Sequence, residues 1–568
     1  MTRSGTRSAF ARRWLGAAVV LTALCVAWGL ASPIPSGPDE PAQIVKMASV
    51  MRGTIVGRPV DGRPATTAVH IPSEIVRLVR RGKCDYKVAR PAICRPRHHP
   101  TGALARTTTY VGRYPPLYYA VVGIPLLFGS SYDALQASRA MSGLIVGVLL
   151  GLAFAVTTTW GRSPGRLVAL GLVVTPTVFY LGGVINPSAS ETAGAVVLWA
   201  SLAVLLFDQP DPAEQADLTD LADVADPPDR PGRPPGPVLA AAVAGAVAMC
   251  ASRSLSTFFF AVIVAAAVAM RPAAARQLWR WPRTKLAAGA AFGFAWLCGL
   301  FVLAARSYKV EAFPFKGHHT SVYYAERIIG STRQWVNGVI ATFGSPNFGA
   351  PSPVMVIWVG GAIALGAAVV ALCSRPDRYR LGALTALLGF VVPFAIVYSH
   401  VQVDGPAWEG RYSLPMIAGL PLLAVGALEG RRPWRSGRLG RHGAAGAGEA
   451  AAAAEAGGAV GRLSTLALAA MLVGQVASLY WLLRRYTIGM VRHHANAFDT
   501  SIPHWTPLVS APVLFGVAVA CYLGWAGWLR REAGRLIDSR RDDPDPSDAS
   551  VPAPPTRPAE DRLHRLVP

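Results

Sequence analysis

Asp39 and Glu40 stand side by side within "PIPSGPDEPAQ" (33–43), directly after the first apolar run of the chain. Pro38 and Pro41 restrict the backbone on either side of the pair, the pre-positioning that acid–base chemistry requires. A structural reading competes: Asp39 would cap the amphipathic stretch 40–56, since aspartate is a favoured N-cap. Far along the chain, "PAWEGRYSLP" (406–415) carries Arg411, whose guanidinium can grip phosphate oxygens in a bidentate fork where a lysine could not. Arg139 and Arg253 are phosphate candidates by the same geometry. The alternative for Trp408, Arg411 and Tyr412 is an aromatic belt with one snorkelling cation. Three His-His pairs (98–99, 318–319, 493–494) could hold zinc if they gathered, but they lack helical ligand spacing and read as solvated loop residues.

These side chains must be positioned by membrane helices. Of 568 residues, 52% are hydrophobic and 15% charged, where a soluble globule carries roughly a quarter charged. Uncharged runs recur near the ~20 residues needed to cross a bilayer. The net charge of +23 comes mostly from arginines in short loops between apolar runs, which is a topology signal and not a nucleic-acid footprint. No zinc-finger, Walker or dinucleotide pattern occurs. The N-terminus is signal-peptide-like, but its apolar part (14–32) is long enough to remain as an anchor. Cys25, Cys250, Cys298, Cys373 and Cys521 fall in apolar runs and read as packing residues, whereas Cys84 and Cys94 share one loop and are either a disulfide or two separate thiols.

Twelve spans are predicted: 14–32, 141–160, 167–185, 192–207, 238–252, 255–270, 286–305, 354–373, 381–398, 414–428, 463–483 and 509–529. A thirteenth candidate, "YPPLYYAVVGIPLLFG" (114–129), decides sidedness. If it spanned, the basic loops 161–166, 271–285, 374–380, 429–441 and 529–541 would all face outward, against the positive-inside rule. It therefore reads as an interfacial or re-entrant helix, with both chain termini cytoplasmic. The stretches 208–237 and 442–461 and the tail from 541 are too polar or too simple to offset their ordering entropy and read as disordered. The outer face then carries two large loops, 33–138 and 306–353, with smaller ones at 186–191, 399–413 and 484–508, and the chemistry lies there. No span so bounded contains Asp, Glu, Lys or Arg, which argues against ion-driven transport.

The D-E pair after the first span, the "YPPLYY" helix, Arg139 opening the next span and the polar motifs of later outer loops together resemble the GT-C class of integral-membrane glycosyltransferases. The pattern more closely resembles a family of bacterial multi-pass proteins grouped with that class, with a P-x-x-P-D-E start, a "PPLYY" helix, an N-P segment like "VINPSAS" (184–190) and a G-R-Y like "EGRYSLP" (409–415). Ser188 stands where that family would be expected to carry an acid.

The resemblance, over roughly residues 14 to 430, implies an all-α polytopic fold and transfer of a hexose or pentose from a polyprenyl-phosphate carrier to a glycan, lipid or protein acceptor outside the membrane. It implies that Asp39 is the base or positions the acceptor, with Glu40 sharing the task or binding a divalent cation such as Mg or Mn. Arg411, Arg139 and Arg253 would neutralise the departing phosphate, and Tyr114, Tyr118, Asn186, Glu409 and Tyr412 would line the substrate pocket. The Ala/Arg/Gly/Pro bias is that of a high-GC bacterium such as an actinobacterium. A lipid-linked glycan flippase, or a non-catalytic envelope scaffold in contact with membrane lipids, is the alternative reading.

Overall fold

The computed structural model describes residues 3–80, 92, 102–161, 163–207, 234–309, 320–344, 348–404, 408–429, 446–490, 496–499 and 505–541. Cys84, Cys94 and the three His-His pairs lie outside the described residues. The first half contains α1 (Arg3–Leu30), α2 (Glu40–Val50), α3 (Ser73–Arg80), α4 (Leu117–Val122), α5 (Tyr132–Trp160), α6 (Gly165–Val173), α7 (Pro176–Gly183) and α8 (Pro187–Phe207). It continues through α9 (Gly236–Cys250), α10 (Ser256–Met270), α11 (Pro272–Leu278), α12 (Pro282–Ala304), α13 (Ser321–Gly330) and α14 (Thr332–Ile340). The remainder is α15 (Ser352–Leu372), α16 (Arg375–Ala386), α17 (Val392–Asp404), α18 (Leu414–Ile417), α19 (Leu420–Glu429), α20 (Gly446–Thr487) and α21 (Ala511–Arg541).

Eight of these helical runs are long and apolar enough to cross a membrane, and ten if the bent pairs α6/α7 (56°) and α10/α11 (107°) each count as one span. Among the described residues the expected count of twelve spans is not confirmed, the segments Gly236–Cys250 and Leu414–Glu429 being shorter apolar helices. Apolar runs mark where helix forms, but not where it breaks. Pro176 ends α6 and starts α7, and Pro272 does the same after α10. α9, with 15 residues, is only ~22 Å long against a hydrocarbon core of ~30 Å. The Ala-rich stretch from Gly446, expected to be disordered, is helical and continuous with α20, in keeping with alanine's propensity.

α1 packs along α5, and α5 along α8. Gly147 permits the first approach, because a Cβ there would collide with the Thr22 backbone. Ion pairs join distant helices: Arg13 to Glu532 (3.1 Å), Arg166 to Glu429 (2.7 Å) and Arg271 to Asp377 (2.6 Å).

The first large loop is not helical throughout. It holds an antiparallel sheet of β1 (Arg58–Val60), β2 (Arg63–Pro72) and β3 (Leu104–Thr109), in register from Thr67↔Thr109 to Pro72↔Leu104. The turn Asp61-Gly62, with Gly62 at φ 71°, closes the first hairpin, and this Asp-Gly pair is the signal in the sequence that marks it. α2 lies on the sheet over a small core of its own, including Ile44, Val45, Val69, Ile71, Tyr119 and Val122. The Pro-Pro segment forms only the six-residue α4 and a short 3-10 turn (Ile124–Leu127), too brief to span.

Candidate functional site

α2 begins at Glu40, and Asp39 precedes it in the left-handed region at φ 58°. That conformation costs a residue with a side chain about 1–2 kcal/mol and recurs at functional sites. The competing role as a side-chain cap is not taken: Asp39 makes no capping hydrogen bond. Its Oδ2 instead accepts from Arg411 Nη2 (2.6 Å) and its Oδ1 from the Tyr110 hydroxyl (2.6 Å). The turn before it is held by Tyr180, donating to the Ser36 carbonyl (3.1 Å), and by Asn186 Nδ2, donating to the Pro38 carbonyl (2.8 Å).

Glu40 points the other way and is fully buried. It accepts from the Gly37 amide (2.8 Å), the Ile185 amide (3.1 Å), Arg139 Nε (2.8 Å) and Arg139 Nη2 (2.6 Å). Arg139 is equally committed. Its remaining N–H groups reach the carbonyls of Gly29 (2.9 Å), Ser32 (2.7 Å) and Pro33 (3.0 Å), so all five donors are occupied. Glu40, expected as base or cation ligand, and Arg139, expected as phosphate clamp, are thus engaged with each other and with backbone groups. The cause is helix length: α5 starts at Tyr132, nine residues before its apolar run, placing Arg139 two turns inside the helix.

Arg411 lies in a 3-10 turn (Gly410–Tyr412) pressed onto α14. Gly410 makes this possible, since a Cβ there would run into the Trp335 carbonyl. Arg411 is buried, contacts Glu409 at 2.5 Å as well as Asp39, and keeps a buried Nε without a partner. The Asp39 and Glu409 side chains are 32% and 40% exposed, so the acids face outward and the guanidinium sits behind them. Trp408 is buried and donates to Ser413 Oγ (2.9 Å), which makes it a brace for this turn and not a headgroup anchor.

A second cation stands beside the first. The Arg253 guanidinium lies 4.3 Å from the centre of the Tyr412 ring and 6.0 Å from that of Tyr114, while Arg411 lies 5.1 Å from the Tyr412 ring. Tyr412 is thus shared by both guanidiniums, and burial pushes its phenol up, so it stays protonated. Arg253 Nη1 reaches Ser188 Oγ (3.3 Å) and Glu191 Oε2 (3.6 Å). Glu191 lies one turn beyond Ser188 along the same face of α8 and accepts from Ser256 Oγ (2.6 Å).

Of the expected pocket residues, Tyr114, Glu409 and Tyr412 surround the two arginines. Asn186 is buried and spent on Pro38 and on the Ser188 amide (3.0 Å), which makes it a positioning residue. Tyr118 is buried against Ser142 (3.0 Å). Tyr110, Glu191 and Ser256 were not among the expected site residues. A tyrosine closing a strand gives no signal by itself, but an acid three residues after Ser188 on a helix does. Among the described residues, no three His, Cys, Asp or Glu side chains gather as a metal ion would need.

Residues 23–420 match a family described as a predicted membrane protein, DUF2142. The chain belongs to this family. The match runs from α1 to the start of α19, so it takes in Asp39, Arg253 and Arg411 and leaves α20 and α21 outside. Among curated proteins none matches the chain. Among solved structures, ArnT from Cupriavidus metallidurans bound to undecaprenyl phosphate is 14% identical, at a TM-score of 0.37, with 95% of this chain and 79% of that one covered. Its apo form is 12% identical at a TM-score of 0.36, covering 93% and 78%. At these values the likeness assigns no activity to this DUF2142 chain.

Proposed function

We propose that this protein is a membrane glycosyltransferase of GT-C type. In this reading it moves a sugar from a polyprenyl-phosphate donor to a glycan, lipid or protein acceptor of the cell envelope, on the extracytoplasmic face, with both termini in the cytoplasm. The single observation that carries the reading is the half-exposed Asp39 carboxylate, held in a left-handed turn against Arg411, with Arg253 across one tyrosine ring. Asp39 accepts the acceptor's hydroxyl proton as that oxygen attacks the anomeric carbon of the donor. The bond from that carbon to the phosphate oxygen breaks, and the phosphate leaves with its negative charge toward Arg411 and Arg253. Tyr110 and Arg411 hold the carboxylate in place before the proton moves. Glu40, expected as a divalent-cation ligand, has both carboxylate oxygens engaged by Arg139 and by the Gly37 and Ile185 amides.

The test uses membranes containing the Asp39→Asn variant and a lipid-linked sugar donor. The expected result is loss of transfer while the protein accumulates to the normal level. Undiminished transfer by that variant would remove the reading.

A further inference from the structure

A second cationic feature lies outside the Asp39–Arg411 cluster. A cleft of about 930 Å³ opens between the β1–β2 hairpin and the C-terminal end of α12. Among the described residues its lining includes Arg63, Arg113, Arg306 and Lys309 against one carboxylate, Asp61, with the apolar end of α12 around Phe301 beside them. None of its lining residues belongs to the cluster described above.

The end of α12 explains only part of this charge. A helix C-terminus presents roughly half a negative charge, which one cation offsets. Arg113 already does so, donating from Nη1 to the Ala305 carbonyl (2.9 Å). Its Nε is buried and has no partner. Arg306 stands in the left-handed region at φ 52°, an unfavourable conformation for a residue with a side chain. Leu300 and Leu303, on the same helix end, are exposed, and α12 is a candidate span that is largely unburied by protein. The cleft therefore joins a concentration of positive charge to a surface suited to acyl chains.

We propose that this cleft binds the phosphate group of an anionic ligand. Arg113 and Arg306 match phosphate oxygens with planar donor forks, and Lys309 adds a point charge. The same chemistry would serve a lipid headgroup arriving along α12 or a free phosphate arriving from water.

The experiment uses the full-length protein in nanodiscs. Inorganic phosphate is titrated calorimetrically into phosphatidylcholine discs, and phosphatidylglycerol retention from mixed discs is read by native mass spectrometry. Binding of either probe, weakened about tenfold or more by Arg306→Gln combined with Lys309→Gln, is the expected result. Asp61→Asn, which removes the one carboxylate among the described lining residues, should tighten binding, a gain that misfolding cannot mimic. Retention of phosphatidylglycerol without phosphate binding assigns the site to a headgroup, and the converse assigns it to a soluble anion. Failure of both probes, or binding indifferent to all three substitutions, overturns the proposal. Neither readout involves sugar transfer, so this outcome is independent of the Asp39 test.

Discussion

Arg411 Nη2 donates to Asp39 Oδ2 at 2.6 Å, across 372 positions of sequence. The pair joins the turn after the first span to the turn before α18, and Tyr110 closes the other side of the carboxylate. Two loops that make few other demands on each other are thereby fixed in one geometry, with the acid outermost.

Arg411→Lys should keep the charge but lose the planar fork. Under the proposed function, transfer should fall by about 10²–10³, the usual cost of removing one donor aimed at developing charge. Initial rates in proteoliposomes measure this. Combined with Asp39→Asn, the loss should be far less than additive, because the two side chains act as one unit. Full additivity would indicate that they act separately.

Glu40 and Arg139 should behave in the opposite way. Removing either leaves a buried charge unpaired, at a cost of about 3–5 kcal/mol. Glu40→Gln and Arg139→Met should each lower the melting temperature and the monodisperse yield in detergent. An inactive Glu40→Gln protein with unchanged melting would restore a catalytic role to Glu40.

Gly410→Ala should reduce transfer without unfolding the bundle. The added methyl must push the Gly410–Tyr412 turn off the Trp335 carbonyl and carry Arg411 with it. A shift of about 1 Å at a positioning group can cost 10² in rate. Unchanged rates would mean that α14 yields instead.

Lys46 is fully buried in α2 and donates to the Gly112 carbonyl (2.7 Å) and to that of Ile55. Burial lowers its pKa from 10.5 to about 7. Below pH 7 the folded protein must carry a buried ammonium, so the folded state is penalised. Between pH 7 and about 10 the unfolded chain binds more protons than the folded one, and stability rises with pH. Lys46→Met should flatten that slope, measured as the difference in melting temperature between wild type and variant across the range. Parallel curves would refute the assignment.

Much of the architecture is legible in the chain itself. Apolar runs of membrane length announce the helices, and each of the twelve expected segments has a helical counterpart, because burying apolar surface depends on local composition. The D-E pair and the G-R-Y motif are visible as unusual polar residues at the ends of apolar runs. Composition also makes the five described cysteines packing residues, and they are free in apolar surroundings.

Tertiary structure decided how those residues divide their work. Adjacent residues on opposite sides of a helix start face different neighbours, so Asp39 turns outward to Arg411 while Glu40 turns inward to Arg139. No local pattern distinguishes an arginine with all five donors occupied from one with a buried donor still free. That difference depends on which carbonyls and carboxylates distant segments bring within 3 Å, and only the packing of α1, α5, α8 and the Gly410 turn supplies them.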